Sequence, residues 1–253
     1  MKNEVAVITG ASSGIGREIA KNLSKRGYNL VLVARREDRL EELAKEVDTH
    51  CQIITADLAN LSEAHGLHET VQDQNVTVLV NCAGFGLLGD FATTELDREI
   101  DMINLNISAL HILTKLFLQD FIEKDKGHIL NVASIAGLLP AGPYMATYYA
   151  TKAYVVSLTQ AINQELKNRD SQVRASALCP GPVDTEFNEV AGASFALASI
   201  TAEECARYGV RNLFNNKVLI IPGANLKVAA VIAKIAPRSL LVKIAGHQQK
   251  RKH

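Results

Sequence analysis

The chain has 253 residues, of which 47% are hydrophobic, and this size suits one large α/β domain with a substantial core. Its formal net charge is zero and it has no nucleic-acid-binding motif, so we expect no nucleic-acid partner. The four cysteines are far apart, so we expect reduced thiols and no metal site. We find neither a membrane-spanning apolar run nor room for a signal peptide before the first apolar run, so we expect a cytoplasmic protein.

Seven short apolar runs alternate with segments of helical periodicity. The runs are apolar at consecutive positions, as is typical of strands that are covered on both faces. We predict strands at 5–9, 30–34, 52–55, 76–80, 128–132, 173–178 and 218–221, and helices at 14–26, 37–47, 60–74, 98–122, 146–168 and 201–215. This alternation predicts a doubly wound parallel sheet in one domain spanning residues 1–253, with ligands bound at the carboxyl ends of the strands.

A glycine-rich loop, Thr9–Arg17, follows the first strand and opens the first helix. Gly10, Gly14 and Gly16 permit a tight turn, close approach of the backbone to a pyrophosphate, and close helix packing. The N–H groups at a helix N-terminus favour a phosphate. A plain strand–helix connection would need one glycine rather than three, so the loop predicts a dinucleotide site.

Five motifs then relate the chain to a known family. They are the Gly-x3-Gly-x-Gly loop, NCAG at 81–84, Ser134, the Tyr148-x3-Lys152 pair and PGPVDT at 180–185. With these motifs, residues 5–185 closely resemble the short-chain dehydrogenase/reductase family. The resemblance implies a Rossmann fold and hydride transfer between a nicotinamide cofactor and an alcohol or ketone. The family usually has a second asparagine at Cys82, but it relies on the side chain of the first, here Asn81.

The end of the second strand bears on the choice between NAD and NADP. An NAD site places a carboxylate there to hold the ribose 2′-hydroxyl. This chain has Ala34 followed by Arg35 and Arg36, and a guanidinium can bind a 2′-phosphate. Arg35 fits the family's NADP pattern; the alternative, that the arginines only begin a charged surface helix, suits Arg36 better. We predict NADP(H). The resemblance implies that Asp57 binds the adenine amino group, and the alternative is a helix cap.

The resemblance also implies the remaining cofactor contacts. They come from the glycine loop and from the segments after the third, fourth and sixth strands: Ser12, Ser13, Ile15, Leu58, Asn81, Ala83, Gly84, Pro180, Gly181, Val183 and Thr185.

Tyr148 and Lys152 are four positions apart in a predicted helix, so they share a face that Tyr149 does not. A free phenol has a pKa near 10, and a nearby ammonium should lower that pKa towards neutrality. We therefore predict Tyr148 as the catalytic acid or base and Tyr149 as pocket wall or packing. A Tyr-x3-Lys pair alone is common in helices, but this pair follows the fifth strand and stands 14 residues beyond Ser134.

Ser134 lies just after the end of a predicted strand, where its hydroxyl can donate to a substrate carbonyl oxygen; the alternative is a turn residue. The resemblance implies that Asn106 holds a water that links Lys152 to solvent, and that Lys152 also binds the nicotinamide ribose. We interpret Asn104, two positions from Asn106 on another face, as structural.

The segment 186–216 begins as a small, apolar, weakly periodic stretch, which predicts a mobile lid over an apolar substrate. We expect a ketone or secondary alcohol with an apolar body. One alternative is a ketoacyl-thioester reductase of lipid metabolism, since the basic C-terminus would suit an acidic carrier. A second is a non-catalytic NADP(H)-binding sensor or scaffold, against which the complete Asn-Ser-Tyr-Lys set argues.

Residues 100–121 are apolar at nearly every helical angle, and 153–166 show a similar excess. Such helices are buried all round. The family pairs these two helices across a two-fold axis, which implies a homodimer or a homotetramer.

The C-terminal extension, residues 224–253, contains no acidic residue, and all 27 acidic residues lie at or before Glu204. We predict two amphipathic helices separated by Pro237. We expect them to belong to the soluble fold and to cover the pocket or a subunit contact. The alternatives are an anionic lipid surface, to which apolar faces and lysines could bind, and an acidic protein partner.

Overall fold

The computed structural model describes residues 4–140, 142–187, 191, 199–237, 239, 241–243 and 245–246. A parallel sheet of seven strands forms the centre, in the order β3-β2-β1-β4-β5-β6-β9. Its strands are β1 Val5–Thr9, β2 Asn29–Ala34, β3 Cys51–Thr55, β4 Val76–Asn81, β5 His128–Val132, β6 Arg174–Leu178 and β9 Leu219–Ile220. Two further strands, β7 Val183–Asp184 and β8 Ile200–Thr201, pair with each other.

Residues 239, 241–243 and 245–246 are helical, and eight further α-helices connect and follow these strands in the described part of the chain. They are α1 Gly14–Ser24, α2 Glu37–Lys45, α3 Leu61–Val71, α4 Leu96–Ile103, α5 Leu110–Glu123, α6 Ala146–Asn168, α7 Ala202–Leu213 and α8 Ala224–Ile235. The predicted single helix at 98–122 is interrupted, because a π-helical turn at Asn104–Ala109 joins α4 to α5. A 3-10 turn, Ile135–Gly137, follows β5.

The two faces of the sheet carry separate cores because successive strand residues point to opposite sides. Ile8 and Leu32 pack with α1, α2 and α7 on one face. Val7 and Val31 pack with α3, α5 and α6 on the other. The predicted doubly wound parallel sheet is therefore confirmed. The strand order reverses between β1 and β4, which opens a crevice at their carboxyl ends.

The last strand of the sheet, β9, lies at one edge and is held by a short ladder. Strand β9 pairs with β6 through Ala177↔Leu219 and Leu178↔Ile220 only, whereas β2 pairs with β3 over five residues. Helix α8 follows this edge and buries Ala230. The first helix predicted in the C-terminal extension thus forms, and Pro237 lies just beyond it.

Large apolar side chains remain exposed on two helices of the described chain. Leu96 and Ile100 lie on α4, and Val231 and Ile235 are among those on α8. The homo-oligomer stays a prediction. No described helix has both the length and the apolar character needed to span a membrane.

Candidate active site

The glycine loop folds tightly against the neighbouring strand end. Gly10 has a φ of 69°, and a Cβ there would lie 2.8 Å from the backbone nitrogen of Ala83. A Cβ on Gly16 would lie 2.2 Å from the carbonyl oxygen of Gly10. Side chains at these positions would therefore clash with backbone, and the loop surface stays bare. Ser13 is the N-cap of α1, and the first turn of α1 contains no acidic residue, so its N-terminal positive field is not offset there.

A cleft of about 430 Å³ begins at this loop and follows the carboxyl ends of the strands. Arg35, Arg36 and Asp57 line one end, and Ser134 and Tyr148 line the other. Its shape and its bare glycine floor fit a dinucleotide, with the pyrophosphate at the N-terminus of α1. Most of the predicted cofactor-contacting residues line it: Gly10, Ser12, Ser13, Gly14, Ile15, Gly16, Arg35, Arg36, Asp57, Leu58, Ala83, Gly84, Tyr148, Lys152, Pro180, Gly181, Val183 and Thr185.

Asn81 does not line the cleft, because its side chain is buried behind it. The Asn81 amide donates to Thr114 at 3.0 Å and to the Asn131 oxygen at 2.9 Å, and Asn131 donates to Thr159 at 3.0 Å. This network links β4 and β5 to α5 and α6. Asn131 was not predicted as part of the site, although a polar amide inside the apolar run of β5 is a signal for a buried partner.

The two arginines after β2 point in different directions, as consecutive residues of extended backbone do. Arg35 is 73% exposed, with its Nη1 3.7 Å from Asp57 Oδ2. Arg36 instead turns into the cleft, where its Nη2 donates to the hydroxyls of Ser12 at 3.2 Å and Ser13 at 3.0 Å. Arg36 begins α2 as its N-cap residue, as the surface alternative expected, but its guanidinium also lines the cleft, and its role in cofactor binding stays a prediction.

Asp57 is not the cap of the helix that follows it. The N-cap of α3 is Asn60, whose side chain accepts from the Ser62 nitrogen. Asp57 Oδ1 accepts from the nitrogen of Ala59 at 3.1 Å, which leaves the carboxylate at the cleft wall.

Tyr148 and Lys152 lie on one face of α6 and are both buried. The Lys152 Nζ is 5.8 Å from the centre of the Tyr148 ring and donates to the carbonyl oxygen of Val132 at 2.9 Å. Ser134 lines the same end of the cleft, and its side chain accepts from the nitrogen of Ala136 at 3.1 Å. Three of the four predicted catalytic side chains, those of Ser134, Tyr148 and Lys152, thus lie at one end of the cleft.

Burial determines the acidity of this group of side chains. Burial raises the pKa of Tyr148 to about 12, although the hydrogen bond from Ser134 lowers it. Burial lowers the pKa of Lys152 to about 8. The expected lowering of the Tyr148 pKa by Lys152 is therefore wrong for this structure, because loss of water destabilises the phenolate more than its neighbours stabilise it.

Asn106 lies in the π-helical turn and is completely buried. Its Oδ1 accepts from the nitrogen of Phe85 at 3.1 Å, while its Nδ2 donates to the oxygen of Phe85 at 2.9 Å and to Thr151 at 3.2 Å. A Cβ on Gly84 would lie 2.7 Å from Asn106 Oδ1. Asn106 therefore holds the segment after β4 against α6, and its expected link to a water stays a prediction.

The segment after β6 lies against the glycine loop at one end of the cleft and against Tyr148 at the other. A Cβ on Gly14 would lie 3.0 Å from Thr185 Cγ2, and the Phe187 ring centre is 5.5 Å from that of Tyr148. Within the predicted lid, 186–216, residues 188–190 and 192–198 lie outside the described part of the chain. Helix α7 packs into the core through Val210.

The family model for the short chain dehydrogenases matches residues 4–196. The chain belongs to the short-chain dehydrogenase/reductase family. It is an oxidoreductase by that membership, and the predicted family is confirmed.

Two family relatives differ in what is known of them. An uncharacterized oxidoreductase of Staphylococcus epidermidis is 37% identical over 192 residues, which are 75% of this chain and 82% of the relative. A protein of Kluyveromyces lactis described as a very-long-chain 3-oxoacyl-CoA reductase is 35% identical over 210 residues, which are 72% of this chain and 60% of the relative.

Solved structures of the family superpose over nearly the whole chain. A short-chain dehydrogenase from Sphingobium yanoikuyae, solved with NADPH, has a TM-score of 0.83 and 28% identity, and 94% of each chain is covered. A family member from Burkholderia phymatum, solved with NAD, has a TM-score of 0.82 and 24% identity, with 90% of this chain and 92% of that chain covered. The second likeness concerns the fold alone.

Proposed function

We propose that this protein is an NADP(H)-dependent oxidoreductase that transfers a hydride between the nicotinamide and a ketone or secondary alcohol with an apolar body. One observation carries the proposal. The cleft has Ser134, Tyr148 and Lys152 at one end, and at the other end Arg36 donates hydrogen bonds to the serine hydroxyls of the glycine loop. The relative from Sphingobium yanoikuyae, which was solved with NADPH, adds support at 28% identity.

The polar groups at the two ends of the cleft suit this cofactor. Arg36 and the hydroxyls of Ser12 and Ser13 would hold a 2′-phosphate, since together they offer N–H and O–H donors. The N-terminus of α1 would hold the pyrophosphate. When bound, the nicotinamide supplies or accepts the hydride at the substrate carbon.

Tyr148 performs the proton step at the substrate oxygen. With a pKa of about 12, its hydroxyl is fully protonated at neutral pH, which suits an acid that donates to a carbonyl oxygen during reduction. Ser134 would direct its single hydroxyl hydrogen to the same oxygen and so orient the carbonyl. Lys152 is mostly protonated at pH 7 because its pKa is about 8, so a positive charge lies behind Tyr148 as the proton leaves.

The walls beside Tyr148 determine the substrate class. Phe85, Leu139, Met145 and Phe187 line the cleft next to Tyr148. An apolar wall favours an aliphatic or aromatic body by the transfer of its surface from water.

The test is NADPH oxidation by the purified protein against a panel of carbonyl compounds. The panel contains aliphatic ketones, aromatic ketones and 3-oxoacyl thioesters, each with and without a charged group near the carbonyl. We expect turnover of uncharged apolar ketones. Binding of NADPH without turnover of any member would instead indicate the non-catalytic sensor or scaffold.

A second candidate, reduction of 3-oxoacyl thioesters, is favoured by the 35% identity to the Kluyveromyces lactis protein with that description. The chemistry at Tyr148 is the same, and only the thioester arm of the panel separates the two. A preference for 3-oxoacyl thioesters of at least tenfold in kcat/KM, about 1.4 kcal/mol, would select this candidate.

A further inference from the structure

Glu186 joins the beginning of the predicted lid to the cofactor end of the cleft. It follows β7, and its Oε2 accepts from Arg36 Nη1 at 2.9 Å. Its Oε1 accepts from Arg39 on α2. The neighbouring residue Thr185 packs over Gly14 in the glycine loop. A carboxylate from one side of the cleft therefore binds two guanidinium groups on the other side.

Arg36 divides its donors between two sets of partners. Its Nη2 donates to Ser12 and Ser13, the hydroxyls that would share a 2′-phosphate with it, while its Nη1 donates to Glu186. The hydrogen bonds from Arg39 and then from Arg36 hold the pKa of Glu186 below its usual value. Glu186 is thus a carboxylate at neutral pH, and it lies where the cleft would receive the 2′-phosphate of the cofactor, which is also an anion.

We propose that Glu186 determines cofactor selectivity by occupying Arg36 as an internal competitor of the 2′-phosphate of NADP(H). The proposal rests on the proposed function, because it concerns the same cofactor site. A phosphate dianion that approaches Arg36 must displace the Glu186 carboxylate or lie beside it. If the two groups lie side by side, their negative charges repel each other. NADH has no such phosphate. Glu186 therefore weakens NADPH binding more than NADH binding. The preference for NADPH over NADH is then smaller than it would be if the arginines had no carboxylate partner.

A purely structural ion pair would behave differently. Such a pair would fix β7 against α2 and support the cleft as a whole. Its removal would then weaken NADPH and NADH equally and would lower stability. The side chains of Arg36 and Glu186 are 42% and 39% exposed, so water can solvate both once they separate.

The experiment is isothermal titration of the ligand-free protein with adenosine 2′-monophosphate, a fragment that carries the phosphate without the nicotinamide. Glu186→Gln keeps the side-chain shape and removes the charge. We expect it to bind the fragment about two- to fivefold more tightly than the wild type, the range of one exposed ion pair. Adenosine and NADH should bind with unchanged affinity. Unchanged or weaker binding of the fragment would overturn the proposal.

Two further variants separate the specific effect from a general change in charge. Asp184→Asn removes the same charge two residues away, at an exposed position of β7. It should leave fragment binding unchanged. In a protein that already carries Arg36→Gln, Glu186→Gln should increase the affinity for adenosine 2′-monophosphate by less than half as much as it does in the wild type. An equal gain from Asp184→Asn, or a full gain without Arg36, would contradict the proposal.

Titration of the wild type with NADPH and NADH separates this inference from the proposed function. If the wild type binds neither, both fail. If it prefers NADPH and Glu186→Gln leaves the fragment affinity unchanged, the proposed function stands and the role of Glu186 is refuted.

Discussion

Lys152 lies one helical turn beyond Tyr148, with its Nζ 5.8 Å from the centre of the tyrosine ring. The lysine approaches the ring rather than extending away into solvent, and it is anchored by the carbonyl oxygen of Val132. Both groups are buried, so their pKa values move in opposite directions, to about 12 for Tyr148 and about 8 for Lys152. Each change disfavours the charged form.

Tyr148→Phe should reduce kcat by about 10²- to 10⁴-fold, the usual contribution of a general acid, while NADPH binding is retained. The hydroxyl is lost, but the ring still fills its place beside Phe187. Tyr149→Phe, on the neighbouring residue, should change kcat by only a few-fold. Steady-state kinetics of both variants on one ketone measures the difference, and the opposite ranking would refute the assignment.

Lys152→Met should remove a pH-dependent term from the stability. The pKa of Lys152 is lowered from 10.5 to about 8 in the folded state. Between these pH values the unfolded chain binds more protons than the folded protein, so the free energy of unfolding of the wild type rises with pH. Below pH 8 the full penalty of the buried ammonium is present. The stability advantage of the methionine variant over the wild type should therefore shrink as pH rises from 8 to 10.5.

Urea unfolding of both proteins at several pH values measures that difference directly. Taking the difference cancels the buried thiols. Burial raises the pKa of Cys82 and of Cys179 to about 12 in the wild type, and loss of Lys152, which lowers both values, keeps these thiols protonated across the range. A difference that stays constant across this pH range would contradict the lowered pKa.

NADPH should bind at least about tenfold more tightly than NADH, since a charged hydrogen bond contributes about 1.5–3 kcal/mol. Arg36→Gln should remove about five- to tenfold of this preference, less than a buried pair would lose, because the side chain is 42% exposed. Arg35→Gln should remove less, since Arg35 is 73% exposed. Fluorescence titration with both cofactors measures the ratios. A larger loss from Arg35→Gln would restore the interpretation made from sequence.

Asn131→Leu should destabilise the fold by about 2–4 kcal/mol, because it leaves the Asn81 amide and Thr159 with one partner fewer in a buried site. The m-value in urea should stay unchanged. Asn168→Ala, at the exposed end of α6, is the control and should lie within about 0.5 kcal/mol of the wild type. A neutral Asn131→Leu would show that the network contributes no stability.

Truncation after Gly223 should lower the thermal stability, because Leu226 of α8 covers Gly181: a Cβ on that glycine would lie 2.6 Å from Leu226 Cδ1. Leu226→Ala should reproduce part of the loss. Val231→Ser combined with Ile235→Ser changes the exposed face of α8 and should leave the melting temperature unchanged. Co-sedimentation with anionic vesicles at 0.15 M salt should be weak. Strong, salt-sensitive co-sedimentation with a stable truncated protein would instead favour the lipid surface.

The strands and most helices could be predicted from sequence because continuous apolar runs and helical periodicity are local patterns. The π-helical turn at Asn104–Ala109 could not, since its six residues have no composition that separates them from an ordinary helix. Motif spacing brought Ser134, Tyr148 and Lys152 together correctly. It gave no access to their burial, and so the direction of the Tyr148 pKa was wrong. The distinction between Arg35 and Arg36 depended on backbone direction after β2, which no spacing reveals.

The two-residue ladder of β9 has a consequence for the protein in concentrated solution. A long, flat edge strand presents unpaired backbone groups that can recruit a strand from another molecule and begin an aggregate. Here the edge presents little more than Leu219 and Ile220, and α8 follows directly beyond it. The protein is thereby protected at this edge against intermolecular sheet growth, and the remaining risk lies at the opposite edge, where β3 offers five residues.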